Sequence, residues 1–113
     1  MRPEVRTHLE WIKLAIDEMD RYAPLPIDFQ HFKEDRAAQL IVERLLIVIG
    51  EAVMRIQRDA PGTPISDMRR IIRVRNILAH DYEQVSVDNL FVIRERHIPI
   101  LRTEVEALLS QHG

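Results

Sequence analysis

Leu9, Ile12, Ile16 and Met19 recur at intervals of three and four, the period of a helix with one buried face. Pro3 and Glu4 suit the first turn of such a helix, so the pattern predicts a helix over 3–22. The stretch "APLPIDFQ" (23–30) breaks it, and Asp28 can cap one short turn. A second long helix is predicted over 35–59. Its apolar positions (Ala38, Ile41, Val42, Leu45, Leu46, Ile49, Ala52, Val53, Ile56) cover a wide arc, which marks the central element. "DAPGTPISD" (59–67) reads as a loop, with Ser66 a candidate N-cap for a helix over 67–81. Ser86 opens a last helix with Asp88 in its first turn, running to about Gln111. Pro99 lies inside it and should kink it by removing a backbone hydrogen bond. Few runs alternate apolar with polar, which argues against sheet. The expected fold is an all-α, up-and-down bundle of four to five helices.

Composition narrows the class. The 113 residues fit a single domain over 1–113 and can bury a real core. Charged residues make up 30 % and apolar ones 46 %, a balance that excludes both disorder and a membrane protein. The greasiest run, "LLIVIG" (45–50), is too short to span a bilayer. "MRPEVRTHLE" lacks the apolar core of a signal peptide, and there are no cysteines. A soluble cytoplasmic protein is expected. Net charge is −2, yet four arginines and no acid fall between Met68 and His80. That is a basic patch on a mildly acidic chain, in a sequence with 14 Arg against 2 Lys. Arginine is the residue that grips phosphate or carboxylate in a planar fork.

The patch ends in "RNILAHDY" (75–82). On a helical wheel, Ile71, Val74, Leu78 and Tyr82 form the core-facing stripe. Arg69, Arg73, Asn76 and His80 fall about 140–200° away, in one line on the opposite face. Asn76, four residues before His80, can hydrogen-bond the imidazole and fix its tautomer. Arg75 and His80 diverge by about 140° on a regular helix. They meet only if the helix unwinds near Ala79–His80 or if a second copy packs alongside. Periodicity alone favours a merely solvated face, and an Arg followed by a His after four to six residues occurs also at Arg73/His80 and Arg2/His8, as chance allows in an arginine-rich chain.

The longer string is more specific. "RNILAHDY" matches R-x4-H-x-Y with Asn after the Arg, and resembles the HepT-like branch of the HEPN superfamily. "ERLLIVIGEAV" (43–53) is similar to the family's central-helix "IGEA" segment, and "PISDMRRIIRVRNILAHDY" to its motif helix. "VSVDNLFVI" followed by "HIPILRTEVEALL" resembles its last helix, proline included, so the likeness covers nearly the whole chain. It departs at Ala79, where the family usually has a larger residue. The resemblance implies a HEPN-like helical bundle forming a two-fold homodimer with the motif at its interface. It further implies metal-independent endoribonuclease activity and a toxin's role beside a minimal, MntA-like nucleotidyltransferase antitoxin. That partner would adenylylate Tyr82 and silence the nuclease.

The residue chemistry fits. RNA cleavage without metal needs a base for the 2′-OH, an acid for the leaving 5′-oxygen and a cation on the transition state. Imidazole can be base or acid near neutrality, and Arg75 is the natural phosphate clamp. One motif supplies one histidine, so a two-fold dimer would complete the acid–base pair. Arg69 and Arg73 are expected to hold the RNA backbone. Glu51 reads first as a charge at a helix edge and second as support for an interface, and Gly50 as a point of close helix approach. His8, His31, His97 and His112 show no ligand spacing with carboxylates, so neither a metal site nor a cofactor is expected. "IRERH" (93–97) reads as a solvated face. Two other function classes stand beside the nuclease. One is a non-catalytic nucleotide- or protein-binding regulatory subunit of a nucleotidyltransferase. The other is a purely structural dimerising domain.

Overall fold

The computed structural model describes residues 1–80 and 85–111, and every regular element among them is helical. Helix α1 (Pro3–Tyr22) buries Val5, Leu9, Ile12, Ile16 and Met19 along one face, as its period requires. Asp28 caps the single-turn α2 (Phe29–Glu34) by accepting from the His31 backbone N–H at 2.9 Å. Phe32 then points into the core, while Phe29 meets Phe91 edge-on with ring centres 5.1 Å apart. Asp35 caps α3 (Arg36–Asp59) through the Ala38 N–H at 3.0 Å. This helix is the central one, packed against α1 on one side and α4 (Met68–His80) on another. No helix among the described residues is long and apolar enough to cross a membrane.

The entry to α4 departs from expectation. Ser66 does not cap it; its backbone N–H (3.1 Å) and its hydroxyl both go to the Glu104 carboxylate on the last helix. Helix α4 begins at Met68, so Ser66 stands one residue before the cap position, and its two donors take the charged carboxylate, which ties α4 to the C-terminal helix. Asp67 takes the helix-entry position: its carbonyl accepts from Ile71 N–H at 3.1 Å, in a left-handed conformation (φ 57°) that aspartate tolerates.

The last helix is continuous but irregular. Ser86 caps α5 (Val87–Val92) by accepting from Asn89 N–H at 3.2 Å, a π-helical turn follows at Ile93–His97, and α6 runs over Ile98–Ser110. Pro99 sits just after the wide turn. Having no N–H and a ring that crowds the preceding carbonyls, it is accommodated by bonds that reach back five residues, as from Ile98 N–H to Ile93 O. The turn corrects the reading of 93–97 as a solvated face. Glu95 and Arg96 are exposed, but Arg94 is turned inward and only 1 % exposed. Its Nε donates to the Ala23 carbonyl (2.8 Å) and its Nη2 to Asp20 (2.6 Å), closing the α1 C-terminus onto the last helix. Arg102 adds bonds to Asp17 and Asp20 along the same seam.

Helix α4 stands apart from this core. After Met68 it has no fully buried side chain; Ile71, Ile72, Val74, Ile77 and Leu78 are each half-buried. It is held chiefly by α3, and much of its surface stays open.

Candidate functional site

Two features bring α4 close to α3. Gly50 is buried, and a Cβ there would stand 2.6 Å from Arg75 Cγ and 3.4 Å from the Ile71 carbonyl, so only glycine leaves room for the arginine stem. The next residue, Glu51, accepts from Arg75 Nη2 at 3.3 Å. The guanidinium side chain is thus 17 % exposed, laid across the α3–α4 seam instead of waving in solvent. Its Nε is buried without a partner among the described residues.

The other end of the guanidinium faces the motif. Arg75 Nη1 donates to Asn76 Oδ1 at 3.0 Å and lies 3.3 Å from His80 Nε2. Arginine has donors only, so this second contact is a hydrogen bond when Nε2 carries the lone pair and the ring proton sits on Nδ1. Two expectations change here. Asn76 bonds Arg75, not the imidazole, because the guanidinium lies within reach of both and is the stronger donor. Arg75 and His80 meet within one chain although α4 stays helical through His80, its last residue. The long arginine side chain wraps around the helix and spans the angular gap that backbone geometry leaves.

Arg69, Arg73, Asn76 and His80 do share a face, lining one open cleft of about 620 Å³ between α4 and Gln57 of α3. Neither Arg69 nor Arg73 has an ion-pair partner among the described residues. Tyr82 lies outside the described residues. Glu51 is the member that sequence reasoning underrated. Its signal was its place directly after the glycine that admits Arg75. Among the described residues no three His, Asp or Glu side chains gather to hold a metal ion.

The site can present a lone-pair nitrogen beside a fixed cation, with two further arginines at the cleft wall. Comparison with known proteins agrees on what kind of chain carries it. The model of the "Ribonuclease HepT-like" family matches residues 12–108. A Thermococcus cleftensis protein named "Probable ribonuclease HepT" is 32 % identical over 109 residues, covering 96 % of this chain and 98 % of that one. A Methanocaldococcus jannaschii protein, named provisionally as an RNase, is 32 % identical over 84 residues, covering 71 % and 74 %. No solved structure gives a significant match. The family match spans α4 and the α3 segment that positions it, and with the all-helical bundle it shows that this chain belongs to the HepT-like ribonuclease family.

Proposed function

We propose that the protein is a metal-independent endoribonuclease toxin of a HepT/MntA-type pair, cutting RNA with the Arg75–His80 pairs of two chains set at the interface of a two-fold dimer. The observation that carries the reading is the 3.3 Å approach of Arg75 Nη1 to His80 Nε2. As RNA binds, Arg75 Nη1 turns from His80 Nε2 to the phosphate, and the freed Nε2 lone pair takes the proton of a ribose 2′-OH while the 2′-oxygen attacks the adjacent phosphorus. Arg75, held by Glu51 and Asn76, neutralises charge gathering on the non-bridging oxygens. The bond from phosphorus to the 5′-oxygen then breaks, and that oxygen takes a proton from the imidazolium of a second copy. The products are a 2′,3′-cyclic phosphate and a 5′-hydroxyl. The half-exposed apolar residues of α4 support dimerisation, since a second copy would cover them. Asn76 supports the arginine, and Arg69 and Arg73 bind flanking RNA phosphates.

Tyr82, two residues beyond His80, is the modification site in this reading. Its phenol is a poor base at neutral pH. An adenylyl group from the cognate nucleotidyltransferase antitoxin would add a negative phosphate close in sequence to the arginines that hold RNA, and compete with it.

The test is cleavage of RNA by the purified protein in EDTA. Wild type should leave 2′,3′-cyclic ends, while His80→Ala and Arg75→Ala should lose about 10²–10³-fold in rate. Activity that needs added magnesium overturns the mechanism. RNA left intact while nucleotide is bound favours the non-catalytic regulatory subunit. On co-expression with the nucleotidyltransferase the intact mass should rise, and Tyr82→Phe should abolish the rise while keeping nuclease activity. A Tyr82→Phe protein that is still modified refutes the silencing step.

A further inference from the structure

The opposite flank of α4 carries a second arginine–histidine contact. Arg70 Nη1 lies 3.4 Å from Nε2 of His97, the last residue of the π-helical turn. The two side chains stand at the edge of a cleft of about 760 Å³ between α4 and the α5–α6 rod. Arg73 and Asn89 line the same cleft, and Val74 and Ile93 form part of its apolar floor. No Asp or Glu lines it among the described residues, and neither Arg70 nor Arg73 has a carboxylate partner among them. Some arginines elsewhere on this protein do meet acids, such as Arg6 with Glu10, Arg36 with Glu43, Arg94 with Asp20 and Arg102 with Asp17, while others, such as Arg21, have no ion pair among the described residues. Here two guanidinium groups and an imidazole converge on open space. The imidazole accepts from Arg70 when its Nε2 carries the lone pair. Asp67 and Glu104 line the cavity on the other side of Arg70 and His97, but neither pairs with them, so the two guanidinium charges can take an anion.

Arg73 also lines the cleft that holds His80, so it is the shared wall of both. From His80 back to Arg70 is ten residues, or about 15 Å along the helix axis at 1.5 Å per residue. We propose that the Arg70–Arg73–His97 cleft binds a phosphate of single-stranded RNA flanking the scissile one, so that the strand crosses α4 at Arg73. Arg70, steadied by His97 Nε2, and Arg73 grip the non-bridging oxygens, the Asn89 amide donates beside them, and the apolar floor takes the face of a ribose or base. The inference rests on the nuclease reading for its substrate, but the cleft itself can be tested without turnover.

The test uses His80→Ala protein as a non-cutting background and a fluorescent single-stranded RNA of about a dozen nucleotides as the probe, titrated at several salt concentrations. Arg70→Gln in that background should weaken binding about ten-fold and flatten the slope of log affinity against log salt by about one ion. His97→Gln should weaken it less than Arg70→Gln does. Arg21→Gln, an exposed arginine of α1, is the control and should change neither. Thermal unfolding of each variant checks that the fold is retained. Unchanged affinity and slope in Arg70→Gln overturn the proposal. A loss matched by Arg21→Gln also overturns it, because net charge alone would then explain binding. Failure of the nuclease reading shows separately, as wild type that binds RNA and does not cut it.

Discussion

Gly50→Ala tests the joint between α3 and α4 with a single methyl group. The new Cβ would overlap the stem of Arg75, standing 2.6 Å from its Cγ, and meet the Ile71 carbonyl at 3.4 Å. Carbon atoms rest at about 3.5–4.0 Å, so either α4 moves away by about 1 Å or Arg75 is driven from the seam. The two contributions to stability oppose each other. Alanine inside a helix gains about 1 kcal/mol over glycine, while overpacking a close contact costs about 1–3 kcal/mol. The net is a loss of about 0–2 kcal/mol, a fall in Tm of up to about 10 °C for a domain of this size. On the proposed role of Arg75 the effect on rate is larger, because a displacement of about 1 Å at a charge-stabilising group costs about 10²-fold. Activity should therefore fall much further than stability does. Calorimetry and RNA cleavage on the same preparations would show it, with Gly62→Ala as the control, since nothing lies within 4 Å of a Cβ there. Wild-type cleavage by Gly50→Ala would refute the reasoning, for it would mean that Arg75 need not lie in the α3–α4 seam.

Glu51→Ala frees one side of the Arg75 guanidinium and should lower kcat about ten-fold with KM little changed. In an Arg75→Ala background the same change should do nothing more, and additive losses would refute the coupling. Arg94→Met leaves the buried Ala23 carbonyl without its donor while Asp20, half exposed, keeps Arg102, which should destabilise the fold by about 1–3 kcal/mol in chemical denaturation. An unchanged midpoint would show that the bond to the Ala23 carbonyl adds nothing to stability. The pH dependence of stability should involve Asp17. Burial pushes its carboxyl up, but hydrogen bonds from Arg102 and Lys13 and their charges outweigh it and hold the group below the ordinary aspartate value. A carboxyl held low in the folded state adds stability that is complete above its unfolded pKa, about 4, and is lost as pH falls through the lower folded value. Asp17→Asn should flatten the acid arm of stability below about pH 4. An identical acid arm in both proteins would refute the assignment.

What the sequence determined by itself is the order and limits of the long helices. Apolar spacing along 3–22 and 35–59, Asp28 as a cap and Ser86 as a cap are local properties of the chain, and local chemistry settles them. The basic patch and its Arg75–His80 motif were legible for the same reason. Position along one helix fixes which residues share a face, and Arg69, Arg73, Asn76 and His80 do share one. The wheel could not show how far a flexible side chain reaches, so it kept Arg75 away from His80 and gave Asn76 the wrong partner.

Tertiary structure decided the rest, wherever a partner came from far along the chain. Ser66 looked like a cap and became a ligand of Glu104, 38 residues on. Arg94 looked solvated until the wide turn before Pro99 rotated it onto Ala23 and Asp20. Glu51 looked like a helix-edge charge until Gly50 let α4 settle against it with Arg75 between them. In each case a charged or hydroxyl group can bond locally, to water or to a distant partner at similar free energy. Spacing along the chain does not rank those choices. Packing does, because burial withdraws the water and leaves the partner that the fold has brought within reach.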